Sequence, residues 1–368
     1  MNTQQTKSTP LIVHSDWTRD WGGQEMRTLC ELQEMKKLGF RTGLIVPEDS
    51  ELARRAKGMD IPVYPVPFTS KFCLTSWKSL FRILRSIRPD VLNTHSSEDS
   101  WMAGCAARIC GVPLIARTRH VLAPISSAVS YNLFPHVIFA CSESIRDQLV
   151  RQGVKKDLVV VQNTGIDEER FRYDSSNREA IRKQYGVADD EILVGNVAFL
   201  RHYKGHPFII ETAATMPDKY KFMLVGEGGE RPHLEQMIRE KQLEDRFILA
   251  GHTEEPEKYF SAFDMIFFSS NESEGISQSF VQGLLYGLPV LAVRTPSILE
   301  PLNLVQHHAT VDYGDVRSAH DALLSLTSCL LRHEQAIVEQ RHAVSTKYGL
   351  KSMMENILSV YSRYGISL

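Results

Sequence analysis

Nothing in these 368 residues approaches the ~18 consecutive apolar residues of a membrane-spanning helix, so no α-helical span is expected. The six cysteines (Cys30, Cys73, Cys105, Cys110, Cys141 and Cys329) show neither metal-ligand nor redox spacing. That excludes a zinc framework and a CxxC oxidoreductase, gives no sign of disulfides, and points to a reducing compartment. Cys105 and Cys110, five apart in an apolar helical context, read as buried thiols. Repeats and low-complexity tracts are missing too. The first ten residues are polar and lack the apolar core of a signal peptide. The expected location is therefore cytoplasmic, with peripheral attachment to the inner face of the membrane left open. A formal net charge of −2 gives no reason to expect a nucleic-acid partner.

What is present is an ordinary soluble composition, 43% hydrophobic and 23% charged, in a chain longer than one core usually holds. Two domains are the default. Charge divides unevenly along the chain. Residues 1–172 carry 23 Lys/Arg against 18 Asp/Glu, and the remainder carries 19 against 26, so a first half resting on anionic lipid is one reading of the asymmetry. Within that half, Lys78, Arg82, Arg85 and Arg88 interleave with Trp77, Leu80, Phe81, Ile83 and Leu84, a basic amphipathic helix suited to a bilayer surface or to packing on a sheet.

Short apolar runs alternate with helical patterns throughout. Strands are expected near 11–14, 42–46, 62–67, 90–93, 114–116, 137–140 and 159–162. A second series follows near 193–198, 221–225, 247–249, 265–268, 289–293 and 309–311. Helices are expected near 24–38, 76–86, 100–110, 206–216, 232–242 and 345–363. The rhythm breaks over the polar segment 167–190, which reads as a linker plus a small helix. This predicts an α/β protein of two doubly wound, Rossmann-like halves: 1–170, a linker 171–190, 191–344, and a C-terminal helix over 345–368 that returns to the first half. A ligand cleft is expected where strand C-termini of the two halves face each other.

The most informative stretch is 270–290. It places Glu274 past an apolar strand and Gln282 eight positions later, about two turns into the helix that follows. Two turns return a side chain to nearly the same face, so a carboxylate and an amide would share a rim beside a helix N-terminus. Acceptors for hydroxyls beside amides for phosphate suit a sugar joined to a phosphate. Gly22-Gly23, between a strand and a helix, would let backbone amides approach a phosphate closely, or simply make a tight turn. Arg201 and Lys204 follow another strand and offer fixed cations to a leaving diphosphate. His95 and His120 each follow a strand.

Taken together, several segments resemble the retaining glycosyltransferases of family 4, whose fold, GT-B, is two Rossmann domains facing across a cleft. They are Gly22-Gly23, Thr118-Arg119-His120, Ser142-Glu143-Ser144, residues 163–167, 201–206, Val225-Gly226-Glu227-Gly228, and Glu274 through Pro289. The resemblance implies that Glu274 holds donor-sugar hydroxyls and that His120 reaches the donor sugar. Lys204 and Arg201 would face the diphosphate. Gly22, Gly23, Gly226, Glu227, Gly275, Ile276, Ser277 and Gln282 would complete donor binding, and His120, Lys204 and Glu274 would form the catalytic set. Gln282 stands where the family usually has a second glutamate; its carbonyl still accepts from ribose hydroxyls, less strongly than a carboxylate. Arg201 is offset from the usual arginine, and Arg294-Thr295-Pro296 replaces paired glycines ahead of Glu300.

Asp189-Asp190-Glu191 reads as a solvated turn rather than a metal-binding Asp-x-Asp, so neither metal nor cofactor is expected beyond the nucleotide-sugar substrate. His95, Arg117 and Arg119 are the acceptor-side candidates. The Arg-Thr-Arg-His and Glu-Gly-x-x-Gln-Ser forms resemble enzymes that build lipopolysaccharide or surface glycans, which implies a lipid-linked or glycan acceptor and an anionic membrane surface as partners. A nucleotide-sugar epimerase of the same fold, or a non-catalytic sugar-binding scaffold, are the alternatives.

Overall fold

The computed structural model describes residues 9–270, 275–330 and 334–368. The chain divides into two compact units, one comprising residues up to Gly165 together with Lys351–Leu368, the other Ile166–Leu350. In the first unit, strands β1 (Leu11–Ser15), β2 (Arg41–Val46), β3 (Val63–Pro65), β4 (Val91–Thr94), β5 (Leu114–Arg119), β6 (Val137–Ala140) and β7 (Val159–Val161) form one sheet ordered β3-β2-β1-β4-β5-β6-β7. In the second, β8 (Ile192–Val197), β9 (Tyr220–Val225), β10 (Phe247–Gly251), β11 (Met265–Phe268), β12 (Val290–Val293) and β13 (His308–Val311) are ordered β10-β9-β8-β11-β12-β13. Every strand pair in both sheets is parallel.

Parallel strands buried on both faces need apolar residues at odd and even positions alike, and the strands supply them. Along β11, Met265 and Phe267 join one hydrophobic cluster with Phe222, Leu224 and Leu291, while Ile266 and Phe268 join another with Met223, Val225 and Val290. Each sheet reverses its strand order once, beside β1 and β4 in the first unit and beside β8 and β11 in the second. These are two Rossmann-like sheets.

Several elements differ from expectation. Helices Glu51–Lys57, Glu143–Arg151 and Pro256–Ala262 are short and lack a long apolar period. The polar segment expected to link the halves lies within the second unit and carries helix Ser175–Gln184, whose Asp174 cap accepts from the amides of Ser176 and Asn177. Arg178 and Arg182 of that helix pair with Asp264 just ahead of β11, at 2.7 and 2.9 Å.

The stretch read as one C-terminal helix belongs to two helices, Glu334–Tyr348 and Leu350–Arg363. They part at Gly349, where Ile166 donates to Tyr348 O and accepts from Leu350 N. The last helix buries Met353, Met354, Ile357, Val360 and Tyr361, with Met353 Sδ accepting from Gly165 N and Tyr361 against Phe139. Cys105 and Cys110 are half-buried rather than buried; they flank the helix face formed by Met102, Ala103, Ala106 and Ala107, and Cys141 is the buried thiol.

Candidate functional site

Loops leaving the C-terminal edge of a parallel sheet at its order reversal are where such sheets take ligands. In the second unit these follow β8 and β11. The β8 loop passes through exposed Arg201 into a single tight turn, His202–Lys204, and closes on Gly205 at φ 69. A Cβ on Gly205 would stand 2.2 Å from Ser269 O. The Ser269 hydroxyl in turn donates to Lys204 O at 2.7 Å. Backbone contact thus fastens the Lys204 loop to the head of the loop after β11. Lys204 is 6% exposed. Burial first, and the Lys204 charge second, draw the adjoining His206 imidazole down to about 3, so that ring is neutral.

The Val-Gly-Glu-Gly stretch after β9 supports the same loop. A Cβ on Gly226, at φ 149, would lie 2.0 Å from Ala198 O, and one on Gly228 would lie 2.3 Å from Leu200 O. Leu200 N donates to Glu227 O at 2.9 Å, and the Glu227 carboxylate takes Arg231 Nη1 at 2.6 Å. Gly226→Ala should therefore lose about 2–3 kcal/mol of stability, because both the backbone angle and the space forbid a side chain. Urea unfolding should show a lower midpoint at unchanged slope; a loss below ~0.5 kcal/mol would mean the loop simply moves aside.

Beyond β11, Glu274 lies outside the described residues. Gly275, Ile276 and Ser277 are not helical; Ser277 has extended backbone, and the helix is Gln278–Leu284. Gln282 is buried little more than one turn into it. Gln282 thus stands about one turn into its helix instead of the expected two, because a non-helical Gly275 and an extended Ser277 delay the helix start.

In the first unit, Gly22 precedes helix Gly23–Lys37 with φ −163, an angle any residue adopts. A Cβ there would meet only the Glu25 carboxylate, at 3.3 Å. The backbone angle therefore does not demand glycine at position 22. Gly22, as the N-cap residue, contributes no side-chain cap of its own.

Three histidines converge at the ends of adjacent strands: His14 in β1, His95 after β4 and His120 after β5. His14 Nδ1 is 2.9 Å from His95 Nε2, and His95 Nδ1 is 2.9 Å from His120 Nε2. The rings are stacked, with centroids 5.0 and 5.2 Å apart. At one end His14 Nε2 faces Glu31 Oε1 at 3.4 Å; at the other His120 Nδ1 faces Cys141 Sγ at 3.6 Å, and Arg27 donates to that sulfur. Burial, and after it the neighbouring rings for His95 and Arg27 for His120, push both imidazoles well below their ordinary value, so both are neutral. Burial drives the Glu31 carboxyl up, but His14 and Arg27 outweigh it and hold it below its ordinary value.

Asp99 fastens the strand ends beneath this row. One of its oxygens closes a capping box with Ser96, and the other accepts from Ser15 Oγ at 2.7 Å and His95 N at 3.1 Å. Burial raises it to about 6. Arg117 is buried, donating to Ser130 Oγ with its guanidinium 3.4 Å over Tyr131, and half-buried Arg119 donates to Ala123 O. Both arginines hold the segment after β5 from within. Sequence reasoning singled out His95 and His120 separately and missed His14, Glu31, Arg27 and Cys141. The available signal was Arg27 and Glu31, one helical turn apart among apolar positions, together with a histidine in an apolar strand. Among the described residues, no group of three or more His, Cys, Asp and Glu could hold a metal ion.

Two family models match the chain: Glycosyltransferase Family 4 over residues 21–170 and Glycosyl transferases group 1 over residues 177–342. The O-antigen biosynthesis glycosyltransferase WclY of Escherichia coli is 29% identical over 119 residues, 32% of this chain and 33% of that protein. The chain thus spans about a third of the length of that relative. Among solved structures, Anabaena HepE in complex with UDP superposes with a TM-score of 0.86 at 18% identity, covering 96% of this chain and 100% of that one. A glycosyltransferase from Rickettsia africae gives 0.87 at 17% identity, covering 98% and 100%. At such identities the solved structures speak for the fold. With two Rossmann-like sheets and both family models matched in order along its length, the chain belongs to the family 4 and group 1 glycosyltransferases of GT-B fold.

Proposed function

We propose that the enzyme transfers a hexosyl group from a nucleotide-diphosphate sugar to a glycan or glycolipid acceptor, with retention at the anomeric carbon, in the assembly of lipopolysaccharide or surface polysaccharide. The observation that carries this reading is the Lys204 loop, fixed by Gly205 and Ser269 at the order reversal of the second sheet. There Lys204, with Arg201 further out, offsets the charge growing on the leaving diphosphate. Glu274 takes the sugar hydroxyls and Gln282 those of the ribose; Gly226, Glu227, Gly275, Ile276 and Ser277 shape the loops around them. Gly22 and Gly23 offer a side-chain-free helix start to phosphate. His120 serves the donor sugar. On the acceptor side Arg119 and the segment it holds are better placed than Arg117 and His95, which are 3% and 4% exposed. The acceptor hydroxyl attacks from the face the diphosphate leaves, and the donor phosphate takes its proton.

Two relatives lend this reading support: HepE has been solved with UDP-glucose, and WclY is named for O-antigen biosynthesis. The test is a screen of labelled nucleotide sugars with and without glycolipid extract. Release of nucleoside diphosphate should depend on acceptor, give the retained anomer, and survive a chelator, because protein cations neutralise the leaving group. Sugar isomerisation without acceptor, or binding without turnover, would overturn it.

Peripheral membrane binding belongs to the same proposal. On helix Leu74–Ile87, Leu80 and Leu84 pack into the core, whereas Lys78, Arg82, Arg85 and Arg88 are exposed. Phe72 and Leu74, 89% and 74% exposed, stand beside Lys71 at its start. An apolar tip with five exposed bases fits an anionic bilayer, each base contributing about 1 kcal/mol near the surface. Vesicle flotation should show binding that requires anionic lipid and weakens with salt, and F72S/L74S should reduce it. Flotation indifferent to lipid charge would exclude it.

A further inference from the structure

We infer that the acceptor lays a sugar ring on Trp17 and that this tryptophan thereby selects the acceptor. Its use in catalysis rests on the transfer function proposed above; sugar binding at Trp17 does not.

The chain has four tryptophans, Trp17, Trp21, Trp77 and Trp101, and all of them fall in the first unit. Two lie in the loop that leaves β1 at the order reversal of the sheet, and they straddle it. Trp21 packs against the cluster that holds Leu29 and Leu52, and the Arg55 guanidinium covers its ring at 4.3 Å. Trp17 packs on the opposite face, against the cluster that holds Leu80 and Met102. Its ring meets Phe68 at 5.5 Å between centroids, the residue is half-buried, and no described residue accepts from its indole N–H. The other two tryptophans sit on helices. Trp77 stacks on Phe81 and donates to Lys71 O at 2.9 Å, and Trp101 stands edge-on to Phe134.

The loop that carries Trp17 is fixed on both sides of it. Asp16, fully buried, donates its amide to Ile45 O at 3.1 Å. The Asp16 carboxylate accepts from Thr18 N at 3.2 Å and from Gln24 Nε2 at 2.7 Å. Asp20 N donates to Thr18 Oγ1, and Glu51 N to Arg19 O. A ligand arriving at Trp17 therefore has little left to order, which favours binding.

The chemistry of the indole says what that ligand is. Its face carries the negative side of the ring quadrupole and attracts weakly positive C–H groups. A pyranose offers such C–H groups on one face and hydroxyls around its rim. Stacked on Trp17, it would place a hydroxyl oxygen where the unused N–H can donate. A phosphate would be repelled by the ring face, and a hydrocarbon chain would leave the N–H unpaired.

Position adds the lipid side of the acceptor. Phe68, which backs Trp17, is four residues before Phe72, so no more than about 14 Å of chain separates them. Ser76 Oγ donates to Pro67 O, and Lys71 Nζ is 3.9 Å from Glu98 in the helix that follows β4. The exposed Phe72–Leu74 tip, Trp17 and the strand ends thus form one tied block. A glycolipid whose tail stays in a bilayer at the tip reaches Trp17 with its sugars.

The ¹⁵N-labelled full chain gives one indole N–H signal for each of its four tryptophans. W17F keeps a ring against Phe68 and identifies the Trp17 signal by its loss. Oligosaccharide freed from glycolipid extract by mild acid should shift that signal and leave the other three in place. In the transfer assay, W17A should raise KM about tenfold for the glycolipid and for the freed oligosaccharide alike, with donor KM and kcat within about twofold. W17F, which loses only the N–H, should raise it about threefold, and W101A should leave it unchanged. A Trp17 signal that oligosaccharide does not move overturns the inference, and that spectrum needs no variant beyond W17F. An unaltered acceptor KM in W17A overturns it as well, as does a loss in W101A equal to that in W17A. A W17A loss confined to the glycolipid would assign Trp17 to the membrane and overturn the sugar contact. Absence of transfer by wild type with any donor sinks the proposed function instead, and the indole spectra then decide alone whether a sugar binds at Trp17.

Discussion

Replacing Lys204 by alanine should lower kcat/KM for the nucleotide sugar by about 10²–10³-fold, the usual loss when one preorganised charge partner of a developing anion is removed. The fold should survive, because it is the Lys204 carbonyl that accepts from Ser269, and alanine keeps that carbonyl. The neighbouring His206 provides a built-in reporter. Its imidazole is held down to about 3 by burial first and by the Lys204 charge second. Removing the charge should therefore raise the His206 pKa, while burial continues to keep it below the ordinary value. Lost turnover with an unchanged melting temperature and an upward His206 shift would place Lys204 as assigned. Unchanged kcat/KM would remove the diphosphate role and, with it, the main support for the functional reading.

Much of this was legible because parallel sheets write themselves plainly. Runs such as Leu11–Ser15 and Met265–Phe268 are buried at every position and are too short for helices. The glycines of the Val225–Gly228 stretch were legible as a motif, but their work was not: they clear space for the carbonyls of Ala198 and Leu200, a contact between loops of neighbouring strands. The histidine row was hidden for the same reason. His14, His95 and His120 lie far apart in sequence and meet only because β1, β4 and β5 are adjacent in the sheet. The depth of Gln282 in its helix was misjudged on a local matter, an extended Ser277 that starts the helix at Gln278. Helix Ser175–Gln184 was expected as a small helix in a linker because its low apolar content suggested a solvated segment, whereas charge fastens it within the second unit.

That fastening makes Asp264 the position whose loss should most weaken the second unit. Its two oxygens take Arg178 at 2.7 Å and Arg182 at 2.9 Å, and the second also accepts from Leu193 N at 2.8 Å. The Arg182 side chain is 4% exposed. Alanine at 264 would leave a buried guanidinium and a β8 amide without their shared acceptor, a change that destabilises by about 3–5 kcal/mol. In a unit of this size the melting temperature should fall by roughly 6–20 °C. D264N should lose less, since its carbonyl oxygen still accepts. Arg182 also donates to the carbonyls of Ala188, Glu191 and Ala262, which sets the competing expectation. If those three carbonyls hold the arginine unaided, calorimetry of D264A should show a loss under ~1 kcal/mol, and the carboxylate would be ornamental to the fold. A large loss in D264A with an intermediate one in D264N would instead assign the attachment of helix Ser175–Gln184 to the ion pairs. The polar composition of 171–190 would then be what holds that segment within its unit.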